Sequence, residues 1–258
     1  MLIDLDGVVY QGGRVIAGAA DTIAWINSSQ IPHLYVTNTT SQSRNSLLEK
    51  FNQFGIKAAA EDIFTPIIAA SQWLHDRQLK RIVFFVTENA ITEFEGFDRL
   101  DSSTATSVDA IVIGDLGEEW SYSRLNQAFR LLMTEPRPVL IALGLTRFWQ
   151  ASDGLRLDVA PFVRALECAS SSESEVLGKP SLAFFESALK LKKAQAKNAV
   201  MIGDDIVGDI QGAQKAGMRA ILVKTGKFRK RDLNGEIRPD VILDSIANLP
   251  EWWVENIA

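Results

Sequence analysis

Short apolar, β-branched runs alternate with longer stretches of helical spacing along nearly the whole chain. Leu2-Ile3, Leu34–Val36, Arg81–Val86, Ala110–Ile113, Val139–Leu143, Ala199–Ile202 and Ala220–Val223 read as strands. Most lead into helix-like segments, and Ala19–Ser28, Ser43–Phe54 and Pro66–Arg77 each carry an apolar stripe against polar residues. This alternation predicts an α/β fold with a mainly parallel sheet, because the helices between strands bury their stripes against it. After the first strand, Val8–Ile16 sets the paired glycines Gly12-Gly13 between two β-prone triplets, which predicts a tight hairpin flap beside the strand end.

From Trp73 to Glu173 the chain runs through three strand-helix alternations of its own and ends in Ser170-Ser171-Ser172-Glu173-Ser174-Glu175. A Ser/Glu-rich stretch has little to bury and suits a linker. The expected organisation is a core made of residues 1–72 and 174–258 with an inserted α/β domain, 73–173.

Composition narrows the chemistry. With 47% hydrophobic residues among 258, the chain can build a sizeable core. Its 27 basic and 32 acidic residues are spread along the chain, so no basic face is expected for a nucleic acid. The single cysteine, Cys168, excludes an internal disulfide or a multi-cysteine metal site. No apolar run approaches the roughly 18 residues of a membrane span, and a cytoplasmic location is expected. His33 and His75 stand in neither a nucleophile pattern nor a metal-ligand spacing, and both are expected to be surface or packing residues. Carboxylates must carry the work.

Asp4 and Asp6 close the first strand and Gly7 follows, so strand alternation would aim both carboxylates the same way off its end. One acid can attack phosphorus while its partner moves protons. Alone, such a run is a weak signal and reads first as a strand-ending turn. Three further features change the balance. Thr37-Asn38-Thr39-Thr40 puts hydroxyl and amide donors at the end of the second strand, with Thr37 the chosen phosphate contact. Gly178-Lys179-Pro180 sets an ammonium at a helix mouth, where it can neutralise phosphoryl charge. Gly203-Asp204-Asp205 and Asp209 follow an apolar strand, and hard oxygen ligands without imidazole or thiolate select magnesium. Asp205 also reads as a helix cap.

In this order the motifs resemble the haloacid dehalogenase superfamily of phosphatases, and the insert between Thr37 and Lys179 resembles the C2-type cap of its NagD-like subfamily, IIA. Leu125–Leu132, Asp153-Gly154-Leu155 and Ile221–Lys227 look like the group holding haloacid dehalogenase-like hydrolase domain-containing protein 2 and phospholysine phosphohistidine inorganic pyrophosphate phosphatase. The resemblance implies a Rossmann-like core. It makes Asp4 the nucleophile and Asp6 the general acid/base, with Thr37, Asn38 and Lys179 on the phosphoryl group. Magnesium would take Asp4, the main-chain carbonyl of Asp6 and Asp204, with Asp209 in support. The sequence departs from the pattern in having only three residues before Asp4, and Asn38-Thr39 where paired asparagines are usual.

The expected activity is magnesium-dependent cleavage of a small phosphorylated metabolite, a phosphomonoester, phosphoramidate or pyrophosphate, through an aspartyl-phosphate. A phosphotransferase or mutase would share that intermediate, and a non-catalytic binder would not need the nucleophile. Arg147, Phe148 and Trp149 are candidates to face the leaving group, although core packing explains the two aromatics as well. Trp120, Tyr122 and Phe129 are candidates for a homodimer surface on the cap.

Overall fold

The computed structural model describes residues 1–151 and 153–256. They form two compact units. The first takes Met1–Thr37, Arg44–Phe64 and the chain from Lys179 onward; the second takes Asn38–Ser43 and Thr65–Gly178. Helix Pro66–Asp76 and strand Ser174–Val176 therefore go with the second unit, although the sequence pattern drew the boundaries at residues 73 and 173. The Ser/Glu-rich run is only partly a linker. Ser174–Val176 pairs in parallel with Val139–Ala142 as an edge strand, and an edge strand tolerates polar residues that give no apolar signal.

The first unit is built on a six-stranded parallel sheet. Its order is Val241–Leu243, Arg219–Val223, Val200–Gly203, Leu2–Asp4, Leu34–Val36 and Ile63–Phe64. Ile3 pairs with Ile202 on one side and Tyr35 on the other. Leu2, Ile3, Leu34, Tyr35, Met201 and Ile202 are all buried, as strands covered on both faces must be. Helices Ala19–Ser28 and Arg44–Gln53 supply Ile23, Ile26, Leu47 and Phe51 to this core, and Phe51 meets Tyr35 edge-on at 4.9 Å. From the first strand the chain builds outward to one edge, then returns to build the other. The carboxyl ends of Leu2–Asp4 and Val200–Gly203 thus flank a topological switch point, where loops diverge and leave room for a ligand. The expected flap is present: Tyr10–Gln11 pairs antiparallel with Arg14–Val15.

The second unit has a five-stranded parallel sheet, ordered Ser174–Val176, Val139–Ala142, Ala110–Ile113, Arg81–Phe85 and Asp98–Arg99. Helices Tyr122–Leu132 and Val159–Ser170 bury Leu131, Leu132, Val163 and Leu166 in its core. Phe148–Ala151 and Gly154–Leu157 form an antiparallel hairpin where a loop was expected. Phe148 and Trp149 are exposed on it, so core packing does not explain them. Trp120 stacks against Phe85 and Phe162 and Phe129 packs against the same cluster. Of the three residues suggested for a dimer surface, only Tyr122 stands fully out. His33 lies edge-on to Tyr35 and His75 packs on Phe97. Among the described residues no helix is long and apolar enough to cross a membrane.

Candidate active site

The first strand ends at Asp4 because the chain folds back at once. The Leu5 carbonyl accepts the Val9 N–H at 2.9 Å, and Gly7 adopts a φ of +91° that L side chains rarely take. Asp4 consequently stays covered, 7% exposed, while Asp6 lies out on the turn. The pleat that was to aim both carboxylates together does not reach Asp6.

Lys179 precedes helix Leu182–Leu191. Its ammonium donates to Asp4 Oδ1 at 2.5 Å and to Asp209 Oδ1 at 2.6 Å, with the lysine side chain 5% exposed. Asp209 lies on the wide helical turn Ile206–Gln211 after the Val200–Gly203 strand. Its other oxygen accepts the Asp204 and Asp205 N–H groups, each at 3.1 Å. Gly203 makes room for it, since a Cβ there would overlap the Asp209 side chain. Asp205 has a different job. It caps the turn by accepting the Val207 and Gly208 N–H groups at 3.0 and 2.9 Å, and faces Lys227 Nζ at 3.2 Å.

Asp204 is held by one oxygen only. Oδ2 accepts the Lys227 N–H at 2.6 Å and lies where a Cβ on Gly7 or Gly226 would collide with it. Oδ1 is buried and, among the described residues, accepts no hydrogen bond. Thr37 is buried at the end of the neighbouring strand, its N–H bonded to the Phe64 carbonyl at 3.3 Å. Asn38, the next residue, belongs to the second unit, where its side-chain oxygen lies beside Gly178. Asp4, Lys179, Asp204 and Asp209 are therefore brought together, with Thr37 on the adjoining strand end and Asp6 on the exposed turn.

Sequence reasoning passed over Thr225 and Gly226 as site residues. Thr225 Oγ1 donates to the Gly7 carbonyl at 2.5 Å, and Gly226, at φ +59°, lies against Gly7. The available signal was a Thr-Gly pair just past the Arg219–Val223 strand, on the edge where the other strands carry Asp4 and Asp204.

The electrostatics follow from burial. Asp4, Asp204 and Asp209 each offer a carboxylate oxygen within 4.8 Å of the others. Burial, with the charges of Asp4 and Asp209 adding, pushes Asp204 up to about 8. Burial also pushes Asp209 up, to about 6, against the pull of Lys179. For Lys179 burial acts downward, but the charges of Asp209 and Asp4 hold it above the ordinary lysine range. One ammonium bonded to two of three clustered, buried carboxylates leaves negative charge in excess. That excess, the all-oxygen donor set and the unbonded Asp204 Oδ1 fit a hard divalent cation.

The parallel sheet thus carries an aspartate at its switch point, beside a buried lysine and an acidic cluster. Residues 1–98 match the haloacid dehalogenase-like hydrolase family and residues 176–249 match the HAD-hydrolase-like family. Human phospholysine phosphohistidine inorganic pyrophosphate phosphatase is 40% identical over 252 residues, covering 96% of this chain and 91% of that one. Haloacid dehalogenase-like hydrolase domain-containing protein 2 of Bos taurus is 38% identical over 232 residues, 90% and 86% of the two chains. The structure of NagD from E. coli K-12 superposes with a TM-score of 0.86 at 22% identity over 95% of this chain and 96% of that one, which shows the shared fold. The chain belongs to the haloacid dehalogenase-like hydrolase family and is a phosphatase.

Proposed function

We propose that this phosphatase works with magnesium through a phosphorylated Asp4 and accepts a small phosphorylated compound. The observation that supports it most is the buried Lys179 ammonium shared between Asp4 and Asp209, beside an Asp204 oxygen with no partner among the described residues. Lys179 fixes the orientation of the Asp4 carboxylate and offsets charge on the phosphoryl oxygens. Thr37 donates a hydrogen bond to those oxygens. An oxygen of Asp4 attacks phosphorus, the bond to the leaving oxygen breaks, and Asp6 protonates that oxygen. Exposed on its turn, Asp6 then takes a proton from the water that cleaves the acyl-phosphate, releasing orthophosphate and restoring both acids. Asp4, the Asp6 carbonyl and Asp204 would hold magnesium, with Asp209 in support. When bound, the ion neutralises phosphoryl charge as a Lewis acid.

The relatives suggest phosphoramidates of lysine and histidine, and pyrophosphate, as substrates to test beside phosphomonoesters. Phosphate release from these compounds, with magnesium and with chelator, checks the reading. Release is expected only with metal. Equal release in chelator would contradict the role given to magnesium.

A further inference from the structure

We infer that the Thr225-Gly226-Lys227 turn is a positioning brace that ties the nucleophile loop to Asp204 and leaves Asp204 Oδ1 as the oxygen available to a cation. The inference rests on the proposed reading of the site.

Three bonds or contacts converge on this turn from segments far apart in the chain. The Thr225 hydroxyl donates to the carbonyl of Gly7, 218 residues away, at 2.5 Å. The Lys227 N–H donates to Asp204 Oδ2 at 2.6 Å, across 23 residues. Between them, Gly226 lies against the α-carbon of Gly7 and the Asp204 carboxylate, a fit that a Cβ on either glycine would break. A turn alone would require glycine only for the positive φ of Gly226. It would not require the threonine to commit its hydroxyl to Gly7, nor Lys227 to commit its N–H to Asp204.

The brace acts chiefly through the main chain of Lys227. Its ammonium is largely exposed and pairs with Asp205, an arrangement that adds little. A carboxylate free to rotate would present either oxygen. With Oδ2 bonded and wedged between two glycines, Asp204 can present only Oδ1, which is buried and unbonded among the described residues. Groups that orient a ligand in this way are worth about 10–100-fold in metal affinity or activity. Thr225 carries the side-chain share of that role. Removing its donor leaves the Gly7 carbonyl unbonded and loosens the contact between the two loops.

Thr225→Val keeps the shape of the side chain and removes the donor; Thr225→Ser keeps the donor. Magnesium titration, followed by the rise in thermal midpoint, reads metal affinity without turnover, and kcat and KM are read separately. The expected result for Thr225→Val is roughly tenfold weaker magnesium binding and a lower kcat at unchanged KM, with Thr225→Ser close to wild type. If the valine variant does not fold, Thr225→Ala takes its place with the same expectation. Wild-type magnesium affinity and kcat in the donor-less variant would overturn the brace. So would a lower midpoint in chelator with magnesium affinity unchanged, which marks a merely structural bond. Failure of the underlying reading looks different: the wild-type protein itself would show no magnesium-dependent release, or Asp4→Asn would retain it.

Discussion

The Lys179 ammonium lies 2.5 Å from Asp4 Oδ1, and both side chains are less than a tenth exposed. An ion pair so covered is not a surface ornament, because each charge left alone there would lack both water and partner. The same lysine holds Asp209, which in turn binds the N–H groups that open the acidic turn. One cation thus links the first strand to the Val200–Gly203 strand end.

Replacing Lys179 by methionine removes the charge and leaves three buried carboxylates facing one another. Unfolding in urea with chelator present is expected to show a loss of about 3 kcal/mol. Magnesium should recover part of that loss, and phosphate release should fall at least about 100-fold. A variant as stable as wild type in chelator would contradict the role given to the lysine.

Stability should depend on pH in a direction opposite to that of an ordinary salt-bridged acid. Burial raises Asp204 from 3.8 to about 8, so between those values the folded state binds more protons than the unfolded one. The unfolding free energy therefore falls as pH rises through that window, and Asp209, also raised, adds to the fall. Urea midpoints in chelator from pH 4 to 8 should decline, with a flatter profile in Asp204→Asn. Magnesium should reverse part of the decline, because it favours the ionised carboxylates.

Gly203→Ala separates steric from conformational effects, since Gly203 does not have a positive φ. The added methyl collides with the Asp209 side chain. Displacing Asp209 is expected to cost about 1–3 kcal/mol and to reduce the magnesium-induced rise in thermal midpoint. An unchanged magnesium response would show that Asp209 is not needed to shape the cluster.

Much of this architecture is written in local pattern. The apolar runs around Ile3, Tyr35 and Ile202 mark the three central strands, because a strand buried on both faces leaves an uninterrupted apolar signal. Asp4 and Asp204 stand at the ends of such strands, and Lys179 just ahead of helix Leu182–Leu191, and they are legible for that reason. Ile63–Phe64 and Val241–Leu243 are too short to show a period, and Ser174–Val176 lies on an edge where polar residues suffice. The exposure of Asp6 depends on a turn that closes after Asp4, which alternation along the strand does not anticipate. The Thr225-Gly226 pair past the Arg219–Val223 strand gains its meaning when the sheet order brings that strand next to Val200–Gly203.

The central claim is that Asp4 carries the phosphoryl group during turnover. Acid quenching during turnover with magnesium, followed by mass analysis of the peptide bearing Asp4, tests it most directly. The expected result is one phosphoryl group on Asp4 in the wild-type protein, and neither phosphoryl adduct nor phosphate release in a folded Asp4→Asn variant. Phosphate release by that variant at the wild-type rate, or a phosphoryl group on another residue, would contradict the account.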